Sequence, residues 1–173
     1  MIGLRRFTVL VVEHQPDWAD LYAKERDVIR RQAGELVCDV QHVGSTAVPG
    51  LPAKPILDIA VAVESHTAVS DVVGALVGIG YLDRGPRDGG YLLVKESAPD
   101  IRTVHLHISL VTDDDWRECL CFRDLLSRDE NLRQRYAQLK RKLAGQFPND
   151  REAYSAGKSE FIKTVIANSA RPL

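Results

Sequence analysis

The sequence predicts a single α/β (α+β) domain in which a mixed β-sheet is flanked by helices and the last third of the chain is helical. Three observations carry that expectation. Residues 56–63, ILDIAVAV, are a nearly continuous apolar run, the pattern of a strand covered on both faces. Residues 36–43 and 103–109 alternate with the period of two that marks strands. Beyond residue 112 the apolar residues fall at helical spacing, with Trp116, Leu120, Leu125 and Leu126 on the first of these segments. At 173 residues, with 45% hydrophobic and 27% charged residues, one domain over 1–173 is expected. A chain of this size buries roughly 70% of its unfolded surface and needs no disulfide or metal to hold it. The expected division is a sheet core with two helices over 1–112 and C-terminal helices over 113–173.

The elements follow in order. Phe7 to Val12 reads as a short β-branched strand. Pro16 suits a first helical turn, Trp18, Leu21, Tyr22, Glu25, Val28 and Ile29 share a helix face, and Gly34 closes that helix. Leu36, Cys38, Val40 and His42 then lie on one face of a strand ending at Val43. Residues 44–55, GSTAVPGLPAKP, hold two glycines and three prolines, a rigid loop feeding the apolar strand at 56–63. A helix over about 69–76 ends in Gly78 and Gly80, and residues 84–90 read as a turn between short strands. Strands are expected at 91–95 and 103–111. Thr112 or Asp113 can cap the next helix, whose first turn places Asp114 and Asp115 against the positive end of its dipole. Helices at about 113–128, 130–146 and 151–168 complete the chain.

Composition narrows the function. With 23 Lys+Arg against 24 Asp+Glu the formal charge is −1, so the molecule as a whole has no electrostatic pull towards nucleic acid. The charge is uneven: residues 64–115 carry 4 basic and 9 acidic groups, residues 116–173 carry 12 and 7. A basic helical tail folded over a cleft suits an anionic small molecule, although solvated helix faces also carry surplus arginine. Three cysteines, Cys38, Cys119 and Cys121, with no CxxC pair and no secretory leader pattern at the N-terminus, point to the cytoplasm. No apolar run approaches the length of a membrane helix.

Two constellations carry chemistry. In the first, Gly44 allows close backbone approach to an anion, Ser45 and Thr46 offer hydroxyls, Lys54 supplies a point charge suited to phosphate, and Asp58 emerges from the apolar strand. A carboxylate beside such a loop is where a Mg²⁺ bridging phosphates would sit. An ordinary Gly-Pro turn with Asp58 capping a backbone amide is the bland alternative, although an ionised group in so apolar a strand costs several kcal/mol unless compensated. In the second, period two places His105, His107 and Ser109 together on one strand face, able to bind metal, orient a carboxylate or meet phosphate, or to serve as structural hydrogen-bonding groups. On the C-terminal helices, Arg123, Lys140, Tyr154 and Lys158 are candidates to hold phosphate, Tyr154 and Lys158 being four residues apart on one face. No GxxxxGK[ST], GxSxG, HExxH or zinc-spaced cysteine set is present.

The segments HVGSTAVPGLPAKPILDI at 42–59, HLHIS at 105–109, FRDLL at 122–126, YAQLK at 136–140 and YSAGK at 154–158, together with HQPDW at 14–18, closely resemble the GrpB family. The resemblance implies a nucleotidyltransferase-like fold. The superfamily's minimal motif is a hydrophobic residue, Gly, and Gly or Ser, then a strand with two alternate carboxylates and a third from a later strand. Val43-Gly44-Ser45 matches the opening and Asp58 the first carboxylate, but Ala60 stands at the second, and His105 and His107 stand on the later strand. On this basis the chain is expected to transfer a nucleotidyl group from an NTP to an unidentified small acceptor. Asp58 and His107 would be catalytic, Asp58, His105 and His107 would hold a divalent metal (Mg or Mn, or the softer Zn), and Gly44, Ser45, Thr46 and Lys54 would hold phosphate. The alternative is a degenerate domain that binds a nucleotide or another phosphorylated metabolite without transfer, and Ala60 favours it.

Overall fold

A computed structural model describes residues 2–87 and 89–169 of the chain. Asp88, within the expected 84–90 turn, and the ends of the 1–173 span lie outside the described residues. The strands are β1 (Leu4–Arg5), β2 (Asp39–Val43), β3 (Leu57–Val63), β4 (Leu82–Arg87), β5 (Gly90–Ala98) and β6 (Ile101–Leu110). The helices are α1 (Asp17–Ala33), α2 (His66–Val77), α3 (Asp114–Arg128), α4 (Glu130–Gln146) and α5 (Arg151–Ser169). The sheet order is β2-β3-β6-β5-β4, with β1 paired to the start of β6. Among the described strands only β3 and β6 run parallel, and they form the middle of the sheet, as the continuous apolar run at 56–63 requires.

Alternation along these two central strands divides the molecule into layers. Leu57, Ile59, Val61 and Val63 of β3, with Val104, Leu106 and Ile108 of β6, pack against Trp18 and Ile29 of α1 and Val72 and Leu76 of α2. The opposite face carries Asp58, Ala60 and Ala62, and small Ala60 and Ala62 receive Trp116 of α3. Helices α4 and α5 extend this second layer. The 44–55 loop is part of their core: Val48 and Leu51, both fully buried, pack with Leu126, Tyr136 and Ala137.

Three expectations are corrected. Phe7 to Val12 is not a strand; Phe7 is left-handed at φ 68°, the Val9 amide donates to the Pro148 carbonyl, and Val12 makes only an isolated bridge with Ala53. The β-branched residues brace this strap against the helical layer, and Leu4–Arg5 takes the place on the sheet. Residue 36 does not open β2, because Gly34 at φ 55° turns the chain into a 3-10 turn over Gly34–Leu36. Residues 84–87 belong to β4, which absorbs Gly85 and Pro86 through a register shift at the sheet edge, where proline is tolerated.

Candidate functional site

The parallel register of β3 and β6 sets Asp58 beside His105 and Ala60 beside His107, all with side chains on the face towards α3, α4 and α5. The His105 Nδ1–H donates to Asp58 Oδ1 at 3.2 Å, and the His107 Nε2 stands 3.7 Å from the same oxygen. The other ring nitrogen of His105, Nε2, lies 3.3 Å from an Nη2 of Arg151. A guanidinium can only donate, so Nε2 accepts and His105 is a neutral ring of fixed tautomer linking Arg151 to Asp58. Burial, reinforced by Arg151, pushes the His105 pKa down against the pull of Asp58. Burial opposes ionisation of Asp58, but the His105 hydrogen bond and the His107 imidazole hold its carboxyl well below the usual carboxylate range. Asp58 is therefore an anion fixed in position, with 34% of its side chain exposed; the His107 side chain is 54% exposed and that of His105 only 8%.

Gly44 makes this placement possible. It sits at φ 68°, and a Cβ there would stand 2.6 Å from Asp58 Oδ2 and 2.9 Å from Asp58 Cβ. The chain then enters a 3-10 turn over Ser45–Ala47, and Ser45 lines the same cavity as Tyr136 of α4. Thr46 is buried, with its hydroxyl 3.0 Å from Nε2 of His42, whose ring stacks on Tyr22.

Two chambers meet at Asp58. The smaller, about 200 Å³, is cationic: Lys54 from the loop, Lys140 from α4, and Arg151 and Lys158 from α5 surround it. Arg151, Tyr154, Ser155 and Lys158 reach it together because spacings of three, four and seven share one helix face. Lys140 is 1% exposed, donates to the Pro52 carbonyl and lies 4.9 Å from the Tyr136 ring centre; Lys54 and Lys158 flank the Tyr154 ring at 5.1 and 4.5 Å. Burial first, and then mutual repulsion, push the Lys54 pKa down to about 8 and that of Lys140 to about 6, and burial also lowers Lys158. The larger chamber, about 400 Å³, is lined by Val43, Ala60, Phe122, Tyr136, Ile162 and Ile166, with the exposed Arg87, Asp115 and Glu118 also lining it. Ser45, Asp58 and His107 line both.

Thus Gly44, Ser45, Thr46, Lys54, Asp58, His105, His107, Lys140, Tyr154 and Lys158 converge on this double chamber. Arg123 does not. Its guanidinium is engaged by the Gln41 side chain, the His42 carbonyl and Asp124, which makes it a clasp between α3 and β2. Arg151 and the convergence of Ser45 and Tyr136 on one cavity were missed. The spacing of Arg151 with Tyr154 and Lys158 held the signal for the first; the second joins residues from distant parts of the chain.

For a divalent metal, both nitrogens of His105 are already engaged, which leaves the Asp58 carboxylate and His107 Nε2, close enough to share one ion. Among the described residues no group of three His, Cys, Asp or Glu side chains gathers as a metal site. One carboxylate and one imidazole suit a softer ion such as Mn²⁺ or Zn²⁺ better than Mg²⁺.

The chain is similar to known proteins over nearly its whole length. The sequence pattern described as GrpB protein matches residues 8–168. The "Glutamate-rich protein GrpB" of Alkalihalophilus pseudofirmus is 33% identical over 171 residues, covering 96% of this chain and 98% of that one. The crystal structure of the conserved protein GrpB from Enterococcus faecalis superposes with a TM-score of 0.82 at 32% identity, covering 92% and 96%. A structure of the Cid1 poly(U) polymerase with MgGTP bound superposes with a TM-score of 0.54 at 15% identity, covering 84% of this chain and 50% of that one. This last likeness shows the fold alone: a mixed α/β architecture similar to that of nucleotidyltransferases.

Proposed function

The chain belongs to the GrpB family, and from that premise we propose that it binds a nucleotide or another phosphorylated small molecule with the phosphoryl groups in the cationic chamber. The observation that carries this reading is the convergence of Lys54, Lys140, Arg151 and Lys158 on a space where Asp58 is the only carboxylate among the described residues. Cations crowded in a half-buried chamber repel one another, and a phosphate dianion reverses that repulsion while accepting hydrogen bonds from all of them. Arg151 can form a planar fork towards phosphate oxygens, and the lysines act as point charges. Free thiols at Cys38, Cys119 and Cys121 suit work in the reducing cytoplasm.

Nucleotidyl transfer is the second reading, favoured by the position of Asp58 beside the Gly44-Ser45 turn at the strand end where nucleotidyltransferase-like proteins carry their first carboxylate. An acceptor hydroxyl would attack the α-phosphorus of an NTP and yield its proton to His107, the most exposed base at the junction, while the bond to the bridging oxygen breaks and pyrophosphate leaves against Lys54 and Lys158. Asp58 would hold a divalent metal, with His107 as its second ligand in place of the proton-accepting role, and the metal would neutralise charge on the phosphate oxygens. Ala60, where a second carboxylate is expected, makes binding without transfer the better-supported reading.

A thermal-shift panel of nucleotides and phosphorylated metabolites, with and without Mg²⁺, Mn²⁺ or Zn²⁺, tests both readings. A ligand selective for the native state raises the melting temperature, and Asp58→Asn should remove any metal-dependent part of the shift. Pyrophosphate release from an NTP in the wild type and not in Asp58→Asn would establish transfer; a panel with no shift at all would contradict both readings.

A further inference from the structure

The larger chamber has no role in holding phosphate, yet it opens onto the same Asp58, His107 and Ser45 that border the cationic one. Its lining is mostly apolar; among the described residues its side-chain hydroxyls are those of Ser45, Tyr91, Ser109 and Tyr136. Val43 and Ala60 form the floor, Phe122 of α3 and Ile162 and Ile166 of α5 form the sides, while the charged Arg87, Asp115 and Glu118 are exposed. Sugar hydroxyls buried against the apolar part of this lining would forfeit hydrogen bonds to water, whereas a flat apolar body would gain by leaving water. At about 400 Å³ the chamber is in the size range of small-molecule sites. Ala60 creates part of the room. It lies on the strand face of Asp58, paired with His107 across the sheet, and a longer side chain there would crowd both the chamber and Trp116.

We propose that the ligand is a phosphate ester whose organic part is an aromatic or otherwise apolar body occupying the larger chamber, with the ester linkage passing over the ridge made by Ser45, Asp58 and His107. This rests on the reading of the cationic chamber as the phosphate site. A nucleotide meets the requirement through its base; a bare sugar phosphate does not.

Calorimetric titration of the full chain with inorganic phosphate, ribose 5-phosphate and 1-naphthyl phosphate tests the inference. Naphthyl phosphate should bind about tenfold or more tighter than the other two. That excess should vanish in Ala60→Leu, which fills the floor, and in Ile166→Glu, which charges a partly exposed wall position, with inorganic phosphate binding as in the wild type. The second variant guards against a fold defect in the first. Equal affinity for the naphthyl and ribose esters, or an excess that survives both substitutions, overturns the inference alone. Absence of binding by all three probes overturns the phosphate reading and the inference with it.

Discussion

Asp58 is the residue on which the site turns, and Gly44 is the residue that makes room for it. A methyl group at position 44 would collide with the Asp58 carboxylate and carry the cost of a left-handed backbone, about 1–2 kcal/mol. Gly44→Ala is expected to lower stability by roughly that amount and to abolish ligand binding, read by denaturant melts and the thermal-shift panel; undiminished binding would mean that the placement of Asp58 is unimportant. Lys140 gives a pH signature. Burial, with Lys158 and Arg141 adding repulsion, lowers its pKa from 10.5 to about 6, and burial with Lys158 and Arg151 lowers that of Lys54 to about 8. Above pH 6 the unfolded chain therefore holds a proton at Lys140 that the folded chain has released, and the same applies to Lys54 above pH 8. Stability should consequently rise with pH across this range. The melting temperature of the unliganded protein is expected to climb between pH 6.5 and 9, and Lys140→Met should flatten the climb. A wild-type melting temperature that falls over this interval contradicts the assignment.

Among the elements, α5 matters most because one of its faces supplies Arg151, Tyr154 and Lys158. Its docking depends on Gly157, where a Cβ would come within 2.5 Å of Leu143 Cδ2, and Leu143 is buried against Val9 and Tyr154. Gly157→Leu should push α5 away from α4, cost about 1–3 kcal/mol in stability by overpacking, and weaken phosphate binding although it touches no ligand. Affinity unchanged in this variant, measured calorimetrically, would show that the pose of α5 is immaterial. Elements with strong periodicity were legible in the sequence: α1, α2, the central strand β3 and the three C-terminal helices all occupy the segments their patterns indicate. Phe7–Val12 misled because β-branched residues in an isolated strap resemble those in a strand, and nothing local records that their partners are Pro148 and Ala53. The loop at 44–55 was legible as rigid, but its hydrophobic anchoring through Val48 and Leu51 was not, since that depends on α3 and α4 arriving from far along the chain.

Across the whole molecule the sheet layer and the helical layer share their contacts. Val48 and Leu51 belong to the core of the helices, and Val9 is wedged against Leu143 and Tyr154. Separate unfolding of 113–169 would expose all of these, so far-ultraviolet and near-ultraviolet dichroism should report one coincident thermal transition; two resolved transitions would contradict a single cooperative unit. The same interleaving explains how much of the site could be read beforehand. Loop, strand carboxylate and His-x-His pair stood out because each is a local departure from its surroundings, a polar group on an apolar strand or glycine beside hydroxyls. Arg123 was misplaced and Arg151 overlooked because an arginine on a helix looks the same in sequence whether it clasps a neighbouring strand, faces water or enters a chamber. Net charge was equally uninformative, since a value of −1 for the molecule conceals four basic side chains gathered around Asp58. The most direct measurement is calorimetric titration of pyrophosphate at pH 7.5 into the wild type and into the Lys54→Ala/Lys158→Ala double variant. Saturable one-to-one binding in the wild type, lost in a double variant that still melts cooperatively, is the expected result. Binding of equal strength in both proteins, or in neither, would contradict a cationic chamber built to hold phosphate.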